Sequence, residues 1–216
     1  MKKEQQNSAD CALQNEVLLD QNYWDQRWQS RQTAWDIGMA APAITQYMQQ
    51  YPNKNAAILI PGCGNAYEAE WLLKNGFTNI TLIDIAPKAV EVLKAKFAGH
   101  PEVKVLLADF FEHQGQYDLM IEQTFFCAIA PAKRKAYAKK ASTLLKAKGK
   151  IIGLLFNKDF NQPHPPFGGN ISEYSAVFEP YFSLKTMHPC TNSITPRAGT
   201  EVFINLIKIK RDEQLF

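Results

Sequence analysis

The 216-residue chain is somewhat long for one core and short for two domains, and its formal charge of +3 is too small to mark a nucleic-acid partner. With 46% hydrophobic and 12% aromatic residues it can bury a sizeable core, while no apolar run approaches the roughly 20 residues that cross a bilayer. Four scattered cysteines (Cys11, Cys63, Cys127, Cys190) form no Cys-x-x-Cys pair and no cluster with histidine, so neither a metal site nor a disulfide framework is expected, and all four read as reduced thiols.

In chain order, residues 1–20 read as an N-terminal extension and 21–216 as a single domain. Met1-Lys2-Lys3 resembles a secretion start, but polar residues from Glu4 to Asp10 stand where an apolar segment would have to follow. The default compartment is therefore the cytoplasm. Residues 21–50 form an aromatic cap: Tyr23-Trp-Asp-Gln-Arg-Trp-Gln-Ser-Arg-Gln-Thr-Ala-Trp35 holds three of the four tryptophans. Trp24 and Trp28 lie four apart, on one helical face, which Trp35 would share if the helix ran on. Such a stripe can be core. It can equally fold over a ligand, where a cation–π contact contributes roughly 0.5–2 kcal/mol.

Ile58-Leu-Ile-Pro-Gly-Cys-Gly-Asn-Ala-Tyr-Glu68 then describes a strand, a tight Gly-x-Gly turn and a helix start at Asn65 or Ala66. Gly62 and Gly64 allow a sharp turn and close approach of a ligand to backbone N–H groups. The next strand, Ile80-Thr-Leu-Ile-Asp84, ends in a carboxylate roughly twenty residues on, the spacing at which an acid meets both ribose hydroxyls. These two features point to an adenosine ligand. Position 67 is Tyr where the dinucleotide fingerprint wants its third glycine to admit a pyrophosphate, and no Gly-Lys-Ser/Thr follows. An adenosine ligand without phosphates, S-adenosylmethionine, fits best.

Further strands are expected at 103–108, 117–122, 150–156, 182–187 and 202–209, after those at 57–60 and 80–84. Helices are expected at 67–75, 87–97 and 131–145. The alternation predicts an α/β fold with a mostly parallel, seven-stranded sheet and helices on both faces. No helix is expected between the last two strands, so they should close the sheet as an antiparallel hairpin. That arrangement belongs to class I methyltransferases, which are Rossmann-like, and not to dinucleotide-binding domains. From Gln123 to Lys158 there is no acid and many lysines, read here as the wet side of the 131–145 helix, whose apolar face is Ala136, Tyr137, Ala141, Leu144 and Leu145. Asn161 to Gly169, rich in Pro and Gly, should form a structured loop.

Several motifs together resemble the thiopurine S-methyltransferase family, nearest its plant and bacterial halide/thiol methyltransferase branch. They are Trp24-x-x-x-Trp28, Thr33-Ala-Trp-Asp-Ile-Gly38, Pro61-Gly-Cys-Gly64, Ile83-Asp-Ile85, Ala108-Asp-Phe110 and Glu122-Gln-Thr-Phe-Phe-Cys-Ala-Ile-Ala-Pro131. The resemblance runs from about Tyr23 to the C-terminal strand. It implies that Trp24, Trp28 and Trp35 line the S-adenosylmethionine site, with Gly62 (and Gly64) at the turn, Asp84 on the ribose, Asp109 and Phe110 at the adenine, and Gln123 near the methyl end. Two departures leave the acceptor open. His164 precedes Pro165-Pro166-Phe167, where relatives carry glycine, and Gln123 stands where the thiopurine branch tends to carry Arg and the plant branch Tyr.

Displacement at a sulfonium methyl has a neutral leaving group, so a soft anion or thiolate requires positioning more than acid–base help. No obligatory catalytic residue is expected. For a thiol acceptor, Glu122, His164 and Tyr174 are the candidate bases. Each also has a plain structural reading: Glu122 as a cap after its strand, His164 as a loop residue, Tyr174 as packing. The expected activity is methyl transfer to a thiol, hydrosulfide, thiocyanate or halide, with thiopurine or other small-molecule S-methylation as the alternative and a non-catalytic adenosine-ligand protein as the rival of another class. The Asn/Asp-Pro-Pro-Tyr/Phe motif of many nitrogen methyltransferases would fall after the fourth strand, where the chain reads Glu122-Gln-Thr-Phe125. The expected partners are a small or anionic substrate and no nucleic acid or membrane, in a monomer or weak homodimer.

Overall fold

A computed structural model of the chain describes residues 18–209. The expectations for the N-terminal extension before residue 18, including Cys11 and the Met1-Lys2-Lys3 start, and for the chain after 209 lie outside the described residues.

Helices α1 (Gln21–Gln29) and α2 (Pro42–Gln49) precede strand β1 (Ile58–Pro61). Then come α3 (Tyr67–Lys74), β2 (Ile80–Asp84), α4 (Pro87–Lys96), β3 (Val103–Leu107) and β4 (Tyr117–Gln123). A 3-10 turn over Phe126–Ala128 and a second over Pro131–Lys133 lead into α5 (Arg134–Leu144), followed by β5 (Leu145–Phe156), α6 (Ile171–Phe178), β6 (Phe182–Pro189) and β7 (Glu201–Lys208). The seven strands form one sheet in the order β3-β2-β1-β4-β5-β7-β6. The first five run parallel, and β7 is antiparallel to both β5 and β6. This is the sheet and closing hairpin that the sequence pattern predicts.

The central strands are buried on both faces, so they read as continuous apolar runs: all four residues of β1 and all five of β2 are buried. Their alternate side chains feed two cores. Ile58, Ile60, Leu82, Leu119 and Ile121 meet α2, α3 and α4 on one face. Leu59, Ile83, Met120 and Ile151 meet α5 and α6 on the other. Strand order reverses between β1 and β4, and in such sheets ligands bind at the carboxyl ends beside the reversal. The glycine turn leaves β1 there, and Gln123 ends β4 beside it.

The structure departs from the sequence expectations in four places. Helices α2 and α6 were not expected, although Pro42 at the first turn of one and Ile171, Tyr174, Val177 and Phe178 on a single face of the other were visible signals. Strand β5 begins at Leu145 rather than 150. It pairs Tyr117 with Leu145, then jumps to pair Leu119 with Lys150 across an irregularity where Lys148 takes φ +62°. The 131–145 helix starts only at Arg134. Its buried face holds Arg134 itself, with Tyr137, Ala138, Ala141 and Leu144, while Ala136 is exposed. Lys133, Lys135 and Lys139 do face solvent.

Candidate functional site

Gly62 and Gly64 both take left-handed backbone (φ +53° and +54°), as a chain reversing straight out of a strand requires. A Cβ on Gly62 would stand 2.2 Å from Cδ2 of Phe125, so the turn and the segment after β4 pack without room for a side chain. A Cβ on Gly64 would meet only Nε1 of Trp35, at 3.9 Å. Ala66 follows with φ +52° and no side-chain cap, so α3 begins with its N–H groups unclaimed by a capping side chain.

Asp84 ends β2 with its carboxylate buried, and Oδ1 accepts the Ala86 N–H at 2.9 Å. Burial pushes its carboxyl up to about 6, against the pull of the Ala86, Gly64 and Ile85 N–H groups. It is therefore charged above about pH 6, with acceptor capacity to spare.

The cap lies over this edge. Helix α1 buries no residue fully, and Trp24 and Trp28 are half-buried rather than core. Asp25 Oδ1 instead accepts the Lys88 N–H at 2.7 Å, docking α1 on the first turn of α4. The helix stops at Gln29, yet Trp35 returns to meet both Trp24 and Trp28 edge-on, at centroid distances of 5.7 and 6.3 Å. The next residues are tied to α3: Asp36 Oδ2 accepts from Asn65 Nδ2 at 2.6 Å and from the Tyr67 hydroxyl at 3.2 Å, and the buried Glu68 accepts the Ala41 N–H at 2.9 Å. Arg197, in the β6–β7 link, donates to the Trp35 carbonyl at 2.9 Å and stands over the Phe156 ring.

A cavity of about 30 Å³ remains between Trp35, Met39, Cys63, Glu68 and Gln123, room for about two waters. The Gln123 Nε2 is buried and has no hydrogen-bond partner, while its Oε1 accepts from Thr124. Burial pushes the Cys63 thiol well up, and the Asp84 charge adds to this, so Cys63 lines the cavity as a neutral thiol. Glu68, whose carboxyl burial also raises, and Arg197 were missed in the sequence reading. An acid in the first turn after a glycine turn was a usable signal for Glu68. Nothing local marks Arg197.

The three candidate bases are scattered. Glu122 is fully buried. Its Oε1 accepts the Phe126 N–H at 2.8 Å and its Oε2 accepts the Tyr137 hydroxyl, the capping arrangement of its structural reading. Burial pushes its carboxyl up to about 7, against the pull of the Tyr137 hydroxyl and the Phe126 and Phe125 N–H groups. Tyr174 is fully buried too, its hydroxyl donating to the Phe156 carbonyl at 2.6 Å, and burial raises its pKa above the ordinary phenol range. His164 is exposed on the loop after β5, its Nδ1 3.0 Å from the Pro165 carbonyl oxygen. Asp109 is exposed beyond β3 and holds the Phe111 N–H. Phe110 is buried against Phe125 and stacked on Tyr137. Among the described residues no group of three or more His, Cys, Asp or Glu could hold a metal, and no helix is long and apolar enough to cross a membrane.

These features can be set beside known proteins. A family model described as thiopurine S-methyltransferase matches residues 19–203. Probable thiol methyltransferase 2 of Arabidopsis thaliana is 32% identical over 184 residues, 82% of this chain and 81% of the relative. Thiocyanate methyltransferase 1 of Brassica oleracea is 27% identical over 189 residues, covering 85% and 83%. Among solved structures, Burkholderia thailandensis 1,6-didemethyltoxoflavin-N1-methyltransferase, with its acceptor and S-adenosylhomocysteine bound, superposes with a TM-score of 0.70 at 15% identity, over 88% of this chain and 87% of that one. Magnesium protoporphyrin IX methyltransferase of Synechocystis PCC 6803, with S-adenosylhomocysteine, gives 0.69 at 13% identity, over 88% and 97%. At these identities the two structures share the fold.

Proposed function

Since the chain belongs to the thiopurine S-methyltransferase family, we propose that it transfers a methyl group from S-adenosylmethionine to a small soft nucleophile: a thiol, hydrosulfide, thiocyanate or halide. The observation that carries this is the grouping of the glycine turn, Asp84 and the unpartnered Gln123 amide at the carboxyl edge of the sheet, in a chain 32% identical to a protein named probable thiol methyltransferase 2.

The residues suit that ligand. Asp84, as a carboxylate, accepts from the two ribose hydroxyls, and the open face of Gly64 and the uncapped start of α3 receive the amino-acid end. Glu68 lies within the cavity to meet an ammonium. Asp109 takes the adenine edge, and Phe110 supports that edge from the core. Bound S-adenosylmethionine supplies an activated methyl group on a cationic sulfur. Trp24, Trp28 and Trp35 then exclude water and offer aromatic faces to the positive charge. With about 30 Å³ between cap and turn, a ligand reaches this place by lifting the Trp35–Met39 segment.

Gln123 donates its free N–H to the acceptor or to the methionine end. Holding nucleophile and methyl at attack distance in a dry pocket is worth roughly 7–11 kcal/mol, enough to make a dedicated base dispensable for an acceptor that arrives ionised. Glu122 and Tyr174 are assigned to positioning the loops, and His164 to the loop surface. The reading includes a cytoplasmic setting and a monomer or weak homodimer, supported by free thiols at Cys63, Cys127 and Cys190 and by outward lysines on α5.

The test is methyl transfer from labelled S-adenosylmethionine to iodide, thiocyanate, hydrosulfide, small aryl thiols and a thiopurine, each with a protein-free control. Turnover on any of the soft anions or thiols supports the proposal, and a thiopurine alone supports the alternative. Tight S-adenosylhomocysteine binding with no acceptor methylated points to a non-catalytic adenosine-ligand protein instead.

A further inference from the structure

Arg134 sits in a run of basic residues on the outer helix α5, yet it is 2% exposed. Its guanidinium reaches across to the loop between β5 and α6. Nη2 donates to the Gly168 carbonyl at 2.7 Å and, more weakly, to the Phe167 carbonyl at 3.4 Å, while Nη1 donates to Glu173 Oε1 at 2.5 Å. Cζ lies 4.9 Å from the Phe126 ring centroid and 5.5 Å from that of Tyr174. The same loop is pinned from the other side, where Phe167 donates its N–H to the Cys127 carbonyl at 2.7 Å. It also folds back on itself: Gly169 N–H meets the Lys158 carbonyl at 3.1 Å, and a Cβ on Gly168 would collide with that oxygen at 1.7 Å.

The loop does not line the cavity but is linked to its Trp35 wall through a chain of contacts. Phe160 packs edge-on against Phe156 at 5.0 Å, Arg197 covers Phe156, and Arg197 holds the Trp35 carbonyl. The 3-10 turn that Arg134 stacks upon begins three residues after Gln123 and is capped by Glu122.

We infer that Arg134 is a positioning residue that fixes the 158–169 loop against the Phe126–Ala128 turn and so sets the shape of the acceptor side of the site, without touching acceptor or cofactor. Planarity is the reason for an arginine: one guanidinium serves two carbonyls and a carboxylate while stacking on an aromatic ring, which a lysine ammonium cannot do. The inference rests on the proposed methyl transfer for its kinetic consequence, but not for its structural one.

Two variants and two readouts test it. Arg134→Lys keeps the charge, and Glu173→Gln loosens one bond from a half-exposed side chain without opening the core. Amide hydrogen exchange should accelerate at Phe167 and Gly169, about tenfold or more for Arg134→Lys and a few-fold for Glu173→Gln, with Gly64 and Ala86 unchanged. In steady-state assays with the best wild-type acceptor, KM for the acceptor should rise about tenfold in Arg134→Lys while Kd for S-adenosylhomocysteine stays within about twofold. Unaltered loop exchange in both variants overturns the anchoring. Faster loop exchange with unchanged acceptor KM overturns the acceptor role. Equal losses in cofactor and acceptor affinity make Arg134 a general stability residue. If the wild type methylates no acceptor, the functional reading has failed, and the exchange experiment still decides the anchoring.

Discussion

The proposed cofactor side and the proposed acceptor side of this edge are built differently. The cofactor side is one local unit: β1, a glycine turn, α3 and the end of β2, with Gly62, Gly64 and Asp84 placed by the strands they leave or end. The acceptor side is assembled from distant segments, since Arg134 reaches partners 33 to 39 residues further along the chain and Phe167 bonds back to Cys127. A function held by local backbone geometry can persist while one assembled from long-range side-chain contacts is re-cut. Ligand binding and acceptor choice should therefore respond to different substitutions.

Asp84→Ala should give the sharpest separation. Two hydrogen bonds to a charged acceptor are lost, about 1.5–3 kcal/mol each, or roughly 10²–10⁴-fold in S-adenosylhomocysteine affinity. Exchange in the 158–169 loop should not change. The wild type should show the same dependence through pH: with the Asp84 carboxyl near 6, affinity should hold above that value and fall below it as the carboxylate is protonated. Calorimetric titrations of both proteins from pH 5 to 8 check this, and a variant that binds normally removes Asp84 from the ribose.

The contrast also explains what the sequence could reveal. Strands buried on both faces, such as β1 and β2, announce themselves as apolar runs, while the half-exposed edge strands β3 and β6 were readable as short runs between turn residues, so all seven and their directions were legible, with the start of β5 misplaced. Gly62, Gly64 and Asp84 carry their meaning in spacing. Arg134 carries none: among Lys133, Lys135 and Lys139 it looks like one more solvated charge, and only the fold shows that its turn of α5 faces Phe126. Glu122 is the intermediate case, since its capping role could be anticipated while its hydroxyl partner, Tyr137 on another element, could not.

Glu122 joins the two sides, lying beside Gln123 and bracing the Phe126 turn that Arg134 covers. Its carboxyl is held near 7 in the fold, above the ordinary carboxylate value of roughly 4.3. Its contribution to stability is therefore complete at low pH and is lost as pH climbs from that value through about 7, a change on the order of 3 kcal/mol. Glu122→Gln cannot ionise, so the stability difference between wild type and variant should move in the variant's favour between pH 5 and pH 8.5. Urea unfolding at the two pH values measures it, and a difference independent of pH rules out the ionised, buried carboxylate.

Trp28→Ala should have a smaller and more selective effect. Because α1 buries no residue fully, the unfolding midpoint should barely move, whereas loss of an aromatic face of about 0.5–2 kcal/mol corresponds to roughly a 2- to 30-fold fall in cofactor affinity and turnover. A destabilised protein with normal turnover per folded molecule would support the core reading of the tryptophans.

The finest test is Asp25→Ala. This carboxylate is the described hydrogen bond between α1 and the first turn of α4, and removing a cap of this kind costs about 1 kcal/mol. That energy belongs to docking of the cap and not to the sheet, so it should surface as a severalfold faster release of S-adenosylhomocysteine with an unchanged unfolding midpoint. Acceptor KM should also be unchanged, because Arg197 and Trp35, rather than α1, connect the cap to the acceptor loop. If release is unaffected, the cap is held without this bond, by its tryptophan contacts and the Asp36, Glu68 and Arg197 ties. If acceptor KM shifts with it, the two sides are coupled through the cap, and the division between a local cofactor side and an assembled acceptor side fails at that point.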